Sequence, residues 1–214
     1  MRRDILNNLD PLPFFSIAAI TAFEKAKPRA LHQNLQRWVR SGHLIRLKNG
    51  LYVTKTHLDR FLHDKSYLEL MANKLTIPSY LSTEYVLQKN GLLTEATFGI
   101  TSITRKTTRR YQNPLGAFDY RHLHPKFYFG FERRSYGRNL IYEATVAKAL
   151  FDFLYLRLAG LDPAEATTLE EMRLNWSELD PSSFQALVEI IKKSGIKKMA
   201  AMIPLLKEIY GNSR

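Results

Sequence analysis

The chain has 214 residues, no cysteine, 45% hydrophobic residues and a formal net charge of +12. That length allows one large domain or two small ones, and the apolar content is enough for real cores. The lack of cysteine excludes a disulfide framework and a thiolate metal site. The charge is blocky: residues 1–60 carry 11 Lys/Arg against 4 Asp/Glu and residues 101–140 carry 9 against 2, while the rest is close to balance. Concentrated positive charge of this kind points to a polyanionic partner. No apolar run approaches the ~18 residues of a membrane span. No strongly amphipathic basic helix suggests a membrane surface, and the opening MRRDILNNLDPLPFF has no signal-peptide core. The expectation is a soluble cytoplasmic protein with no membrane partner.

In chain order, Arg3 to Leu9 reads as a short helix broken by Asp10-Pro11-Leu12-Pro13. Ser16 is placed to cap a helix over Ile17 to Glu24, and Lys25 to Lys27 make a turn. Pro28 suits the first turn of the next helix. There Leu31, Leu35, Trp38 and Val39 recur on one face. Arg29, Gln33, Gln36 and Arg40 form the opposite stripe, flanked by His32 and Arg37. Ser41-Gly42 stops the helix. The runs HLIRL and GLYVT follow, joined at Lys48-Asn49-Gly50, and Asn-Gly between strands is a strong hairpin signal. Helix, helix and basic hairpin in this order predict a winged helix-turn-helix over residues 1–58.

Residues 59–214 are predicted to form an α+β domain. Thr56 to Leu75 reads helical. Pro78 holds Ile77 extended, Ser82 is placed to cap a helix to Asn90, and Gly91 ends that helix. From Thr97 the period becomes two. Strands are expected over Phe98–Arg105, Phe118–Leu123, Phe127–Phe131 and Asn139–Tyr142, in a small, mainly antiparallel sheet. Ala144 to Leu158 is a strong helix, Gly160-Leu161-Asp162-Pro163 a break, and C-terminal helices divided by Pro181 and Ser194-Gly195 finish the chain.

Three stretches carry a family resemblance: Leu35–Tyr52 (LQRWVRSGHLIRLKNGLY), Pro78–Leu93 (PSYLSTEYVLQKNGLL) and Ala144–Tyr155 (ATVAKALFDFLY). In this order they resemble the AbiEi-type antitoxins of type IV toxin–antitoxin systems, bacterial winged-helix repressors with a C-terminal antitoxin domain. Thr101 to His122 fits the strand region of that family. In the third stretch Val146-Ala147 stands where the family has Pro-Glu, while Lys148 and Asp152 match. The resemblance implies a repressor of its own promoter, a homodimer on DNA, and a cognate toxin of the nucleotidyltransferase type.

The residues themselves suggest how DNA would be held. Arginine forks match guanine edges and phosphates, and glutamine pairs with adenine in the major groove. The expected DNA-binding set is Lys27, Arg29, His32, Gln33, Gln36, Arg37, Arg40, Arg46, Lys48 and Asn49. A second basic surface, for DNA or for an acidic partner, is expected from Arg105, Lys106, Arg109, Arg110, Arg133, Arg134 and Arg138. The neighbouring Tyr111, Tyr120, Tyr128 and Tyr136 could stack on bases, but as strand residues they are expected to pack a core. His122 and His124 are too few for zinc, so neither a metal nor any other cofactor is expected. Asp119, Glu132 and Lys126 have the composition of a metal-dependent nuclease, but two acids among nine bases make an enzyme the weakest reading. An ordinary regulator with a ligand-sensing or dimerising C-terminal domain is the nearer alternative.

Overall fold

The computed structural model describes residues 2–23, 28–95, 99–158, 169 and 172–213. The predicted turn at Lys25 to Lys27, the break at Gly160 to Pro163 and the start of the strand expected from Phe98 lie outside them. The first elements are α1 (Arg2–Leu9), β1 (Phe15–Ser16), α2 (Ile17–Phe23) and α3 (Pro28–Arg40). The hairpin β2 (Leu44–Lys48) and β3 (Leu51–Thr54) follows. Ser16 caps α2 as expected, its Oγ accepting from the Ala19 N–H at 3.2 Å. At the end of α3 the His43 N–H reaches the Trp38 carbonyl and the Gly42 N–H the Val39 carbonyl. Gly42 sits at φ +73°, so this terminator needs a residue without Cβ strain. The strands form a three-stranded antiparallel sheet in the order β1-β3-β2, with a register shift between Arg46 and Lys48.

The region read as one helical stretch is two helices, α4 (Lys55–Phe61) and α5 (Lys65–Leu75). Asp64 separates them by capping α5, its carboxylate accepting from Ser66 and Tyr67 N–H. Next come β4 (Ser79–Leu81), α6 (Glu84–Lys89), β5 (Ile100–Thr104), β6 (Arg109–Asn113), β7 (Gly116–His122), β8 (Phe131–Tyr136) and β9 (Asn139–Ala144). Helix α7 spans Val146–Leu158, and α8 (Pro181–Ser194), α9 (Lys197–Ala201) and α10 (Ile203–Asn212) close the described chain.

Strands β4 to β9 make one six-stranded sheet in the order β6-β7-β5-β4-β9-β8, with β4–β9 and β5–β7 parallel and the other pairs antiparallel. The α+β class holds, but this sheet is larger and more mixed than expected. The strand expected over Phe127–Phe131 is not formed. Pro125–Phe127 is a 3-10 turn capped by the His124 side chain, and Phe127 and Tyr128 are drawn into aromatic contacts with Phe151, Tyr155, Tyr80 and Phe131. Arg109–Asn113, which lies between two of the expected strands, is itself the edge strand β6.

Two buried clusters are present. Leu9, Phe15, Ile20, Leu35, Trp38, Leu44 and Tyr52 form a small one. The large one fills the space around the six-stranded sheet, and it also includes Leu47, Leu51, Val53 and Leu58. Alternation along β3 explains this: Tyr52 faces the small cluster, while Leu51 and Val53 face the large one. The segments expected to divide near residue 58 therefore share a core through the hairpin.

Candidate nucleic-acid interface

Helix α3 turns Leu35 and Trp38 into the small core and leaves His32, Gln33, Gln36, Arg37 and Arg40 exposed. Of the remaining predicted contacts, Arg46 and Asn49 are exposed on the hairpin. Lys27 lies outside the described residues, as does the side chain of Arg29. The stripe thus stands on a helix whose opposite face is fixed by packing, which is what a rigid reading element needs.

Lys48 is the exception in this group. Its ammonium donates to the Leu75 carbonyl at 2.9 Å and the Lys74 carbonyl at 3.4 Å, satisfying the free carbonyl end of α5. Burial lowers its pKa, and the Lys106 and Arg109 charges lower it further, against Tyr111. Lys48 is therefore a staple from the hairpin to α5 rather than a free phosphate contact. A second tie runs from the Asn113 amide to the Leu47 carbonyl at 3.2 Å.

The second basic surface is split by the sheet order. Arg105 and Lys106 follow β5 and Arg109 and Arg110 lie on β6, all exposed. Strand β6 is the edge beside the hairpin, with Lys106 and Arg109 near Lys48, while the Arg105 guanidinium lies over the Tyr128 ring. Arg110 meets the Asp119 carboxylate at 3.6 Å, and Arg109 binds the Thr107 side chain at 3.0 Å. Arg133, Arg134 and Arg138 belong to β8 and its turn, at the opposite edge. Arg133 and Arg138 are exposed. Arg134 is committed: it pairs with the buried Glu69 and approaches Glu143 at 3.6 Å. Lys89 joins the same two carboxylates at 2.9 and 2.8 Å, and Tyr85 donates to Glu69 at 2.8 Å. Arg134 thus neutralises a buried acid and is withdrawn from the interaction surface.

The tyrosines named from sequence are largely structural. Tyr120 is fully buried and donates to the Ala72 carbonyl. Tyr136 donates to Asp64 at 3.0 Å, and Tyr111 meets Tyr120 edge-on at 5.8 Å. His122 Nδ1 lies 3.1 Å from the Lys106 carbonyl, and His124 Nδ1 accepts from the Lys126 N–H. Asp119 on β7 and Glu132 on β8 have three strands between them, about 19 Å at ordinary strand spacing. Lys126 is held by the Ser194 carbonyl at 2.9 Å. These three side chains do not converge, so the nuclease grouping has no geometric basis.

Sequence reasoning missed one cluster. Ser82 does not cap α6; Thr83 occupies that position without a side-chain cap bond. Instead Ser82 and Tyr80 donate to Asp152 Oδ2 at 2.8 and 2.9 Å, while Lys148 pairs with Oδ1. All four are almost completely buried. Lys148 also stands 4.9 Å from the Phe151 ring centre and 5.2 Å from that of Phe129. Burial lowers the Lys148 pKa and raises that of Asp152, each opposed by the partner's charge. Gly130 closes the cluster: at φ +72°, a Cβ there would lie 3.0 Å from the Lys148 side chain. The sequence signal was a Lys and an Asp four apart in a mostly apolar helix, a spacing that puts both on one face.

Among the described residues no helix is long and apolar enough to cross a membrane. No protein-family model matches the chain, and no curated protein matches it by sequence.

Proposed function

We propose that residues 1–58 act as a winged helix-turn-helix that binds duplex DNA, with α3 in the major groove and the β6 edge on the neighbouring backbone. The observation that carries this reading is the exposed stripe His32, Gln33, Gln36, Arg37 and Arg40 on a helix anchored by Leu35 and Trp38. Two glutamines offer base pairing and the arginines offer base or phosphate contacts. Lys106, Arg109 and Arg110 lie at the sheet edge that the hairpin touches, so one DNA segment could meet both.

The same reading makes the chain a repressor of its own promoter, binding as a homodimer, and a cytoplasmic antitoxin against a nucleotidyltransferase-type toxin. Support for the antitoxin part is the sequence resemblance, together with the meeting of its second and third stretches. Tyr80 and Ser82 from one and Lys148 and Asp152 from the other form a single hydrogen-bonded cluster. That gives these matched residues a common structural purpose.

The test is binding to the DNA upstream of its own reading frame, against scrambled competitor, across a salt series. Neutralising about 6 phosphates gives a slope of log K against log salt near −5. The Gln33→Ala/Gln36→Ala variant is expected to relax the ranking of DNA sequences, by roughly 1–3 kcal/mol at particular bases. An unchanged ranking would remove α3 as the reading element.

A further inference from the structure

The segment between α5 and β4 opens a cavity of about 390 Å³, within the size range of small-ligand sites. Its apolar walls are Ile77, Pro78, Tyr128, Phe131, Leu140 and Tyr142. Ile77, which lines it, is 59% exposed. The cavity's polar residues fall into two kinds. Asn73 and Ser79 are used internally, Asn73 on the Tyr142 backbone and Ser79 on the Thr76 carbonyl. The hydroxyls of Tyr128 and Tyr142, by contrast, make no hydrogen bond among the described residues.

Charge at the cavity has one sign. Lys74 lines it, with its ammonium 5.6 Å above the Phe14 ring. Arg105 lays its guanidinium 5.2 Å over the Tyr128 ring. Neither cation is paired with a carboxylate among the described residues, and no Asp or Glu lines the cavity. Burial lowers the Lys74 pKa, which marks the cost of leaving that ammonium without a counter-charge. Aromatic walls favour a flat ring, two phenols can donate to an oxyanion, and two cations supply its counter-charge.

We propose that this cavity is a binding site for a small, flat aromatic anion, such as an aryl carboxylate or sulfonate. The site is separate from the proposed DNA contacts of α3 and β6, neither of which lines it. The ligand's ring packs against the wall formed by Tyr128, Phe131 and Tyr142, and its acidic group faces Lys74 and Arg105.

The probe is anilinonaphthalene sulfonate, titrated by fluorescence against the folded full-length chain, with uncharged phenylnaphthylamine as control. Saturable binding of one equivalent is expected. Leu140→Trp, which fills the cavity, is expected to weaken it at least ~10-fold, and Lys74→Glu/Arg105→Glu several-fold, with the uncharged control indifferent to the charge reversal. Circular dichroism reports whether Leu140→Trp folds. Should it not fold, the Ile77 methyl signals of the unmodified chain decide, since they shift on titration only if the dye enters here. Non-saturable binding, or binding unchanged in both variants, overturns the proposal. So does a dye that leaves the Ile77 methyls unmoved.

Discussion

The two edges of the six-stranded sheet are both rich in arginine, and the fold treats them in opposite ways. At the β6 edge Lys106, Arg109 and Arg110 are exposed, and among the described residues only Asp119 offers one of them a carboxylate. At the β8 edge Arg134 is drawn inward by Glu69 and Glu143, with Lys89 and Tyr85 completing the network. A positive charge with a buried acid beneath it is part of the structure; one without is available to a partner. The acids that make this difference come from α5 and β9, not from the arginine-bearing strands.

This contrast can be broken in three ways. The largest effect is expected from replacing Lys106, Arg109 and Arg110 together by serine. Under the proposed DNA reading, the salt slope should flatten by ~3 and affinity at ordinary salt fall ~100-fold. Unfolding free energy should move by no more than about 0.5 kcal/mol, as for other exposed sites. Equal loss of stability and affinity would show that this edge too is structural.

Arg134→Ala comes next. Glu69 is 3% exposed, and losing its guanidinium partner leaves a buried carboxylate held by Lys89 and Tyr85 alone. Breaking a wholly buried pair costs about 3–5 kcal/mol. Because Arg134 is itself partly exposed and Lys89 persists, about 2 kcal/mol is expected here. Urea unfolding measures it, and a change below 0.5 kcal/mol would place Arg134 with the free arginines. The smallest effect is expected from Arg133→Ser/Arg138→Ser. These exposed side chains lie at the edge away from the hairpin, so stability should stay within about 0.5 kcal/mol and DNA affinity within ~2-fold. A loss comparable to that of the β6 variant would mean that the DNA reaches both edges.

What was legible in the sequence was what neighbours in the chain decide. Pro28, the apolar period of α3, the Gly42 terminator and the Lys48-Asn49-Gly50 turn are local signals, and each element formed where expected. The errors came from distant partners. Ser82 has the chemistry of a helix cap, but Asp152, 70 residues on, takes its hydroxyl. Lys48 has the chemistry of a phosphate contact, but the carbonyl end of α5 takes its ammonium. Arg109 and Arg133 are close in sequence, yet strand order puts them at opposite edges. The strand expected at Phe127 gave way because aromatic packing on Phe151 and Tyr155 favoured a turn. Charge counts located the basic blocks but held no information about which acids would lie beneath them.

The hairpin with a core on each side also has a consequence for how the chain is made. Its first side is covered early, by helices that precede it. Its second side, with Leu47, Leu51 and Val53, must wait for partners as far along as β6, which ends at Asn113. At about 5–20 residues per second, those roughly 60 further residues take ~3–12 s to synthesise. Hairpins themselves close in ~1–10 μs. The nascent strand pair therefore has time to recruit another growing chain before its own cover arrives. Arg46 and Lys48, set on either side of Leu47, act during that interval as gatekeepers: charged neighbours keep an uncovered apolar strand from zipping onto a copy of itself.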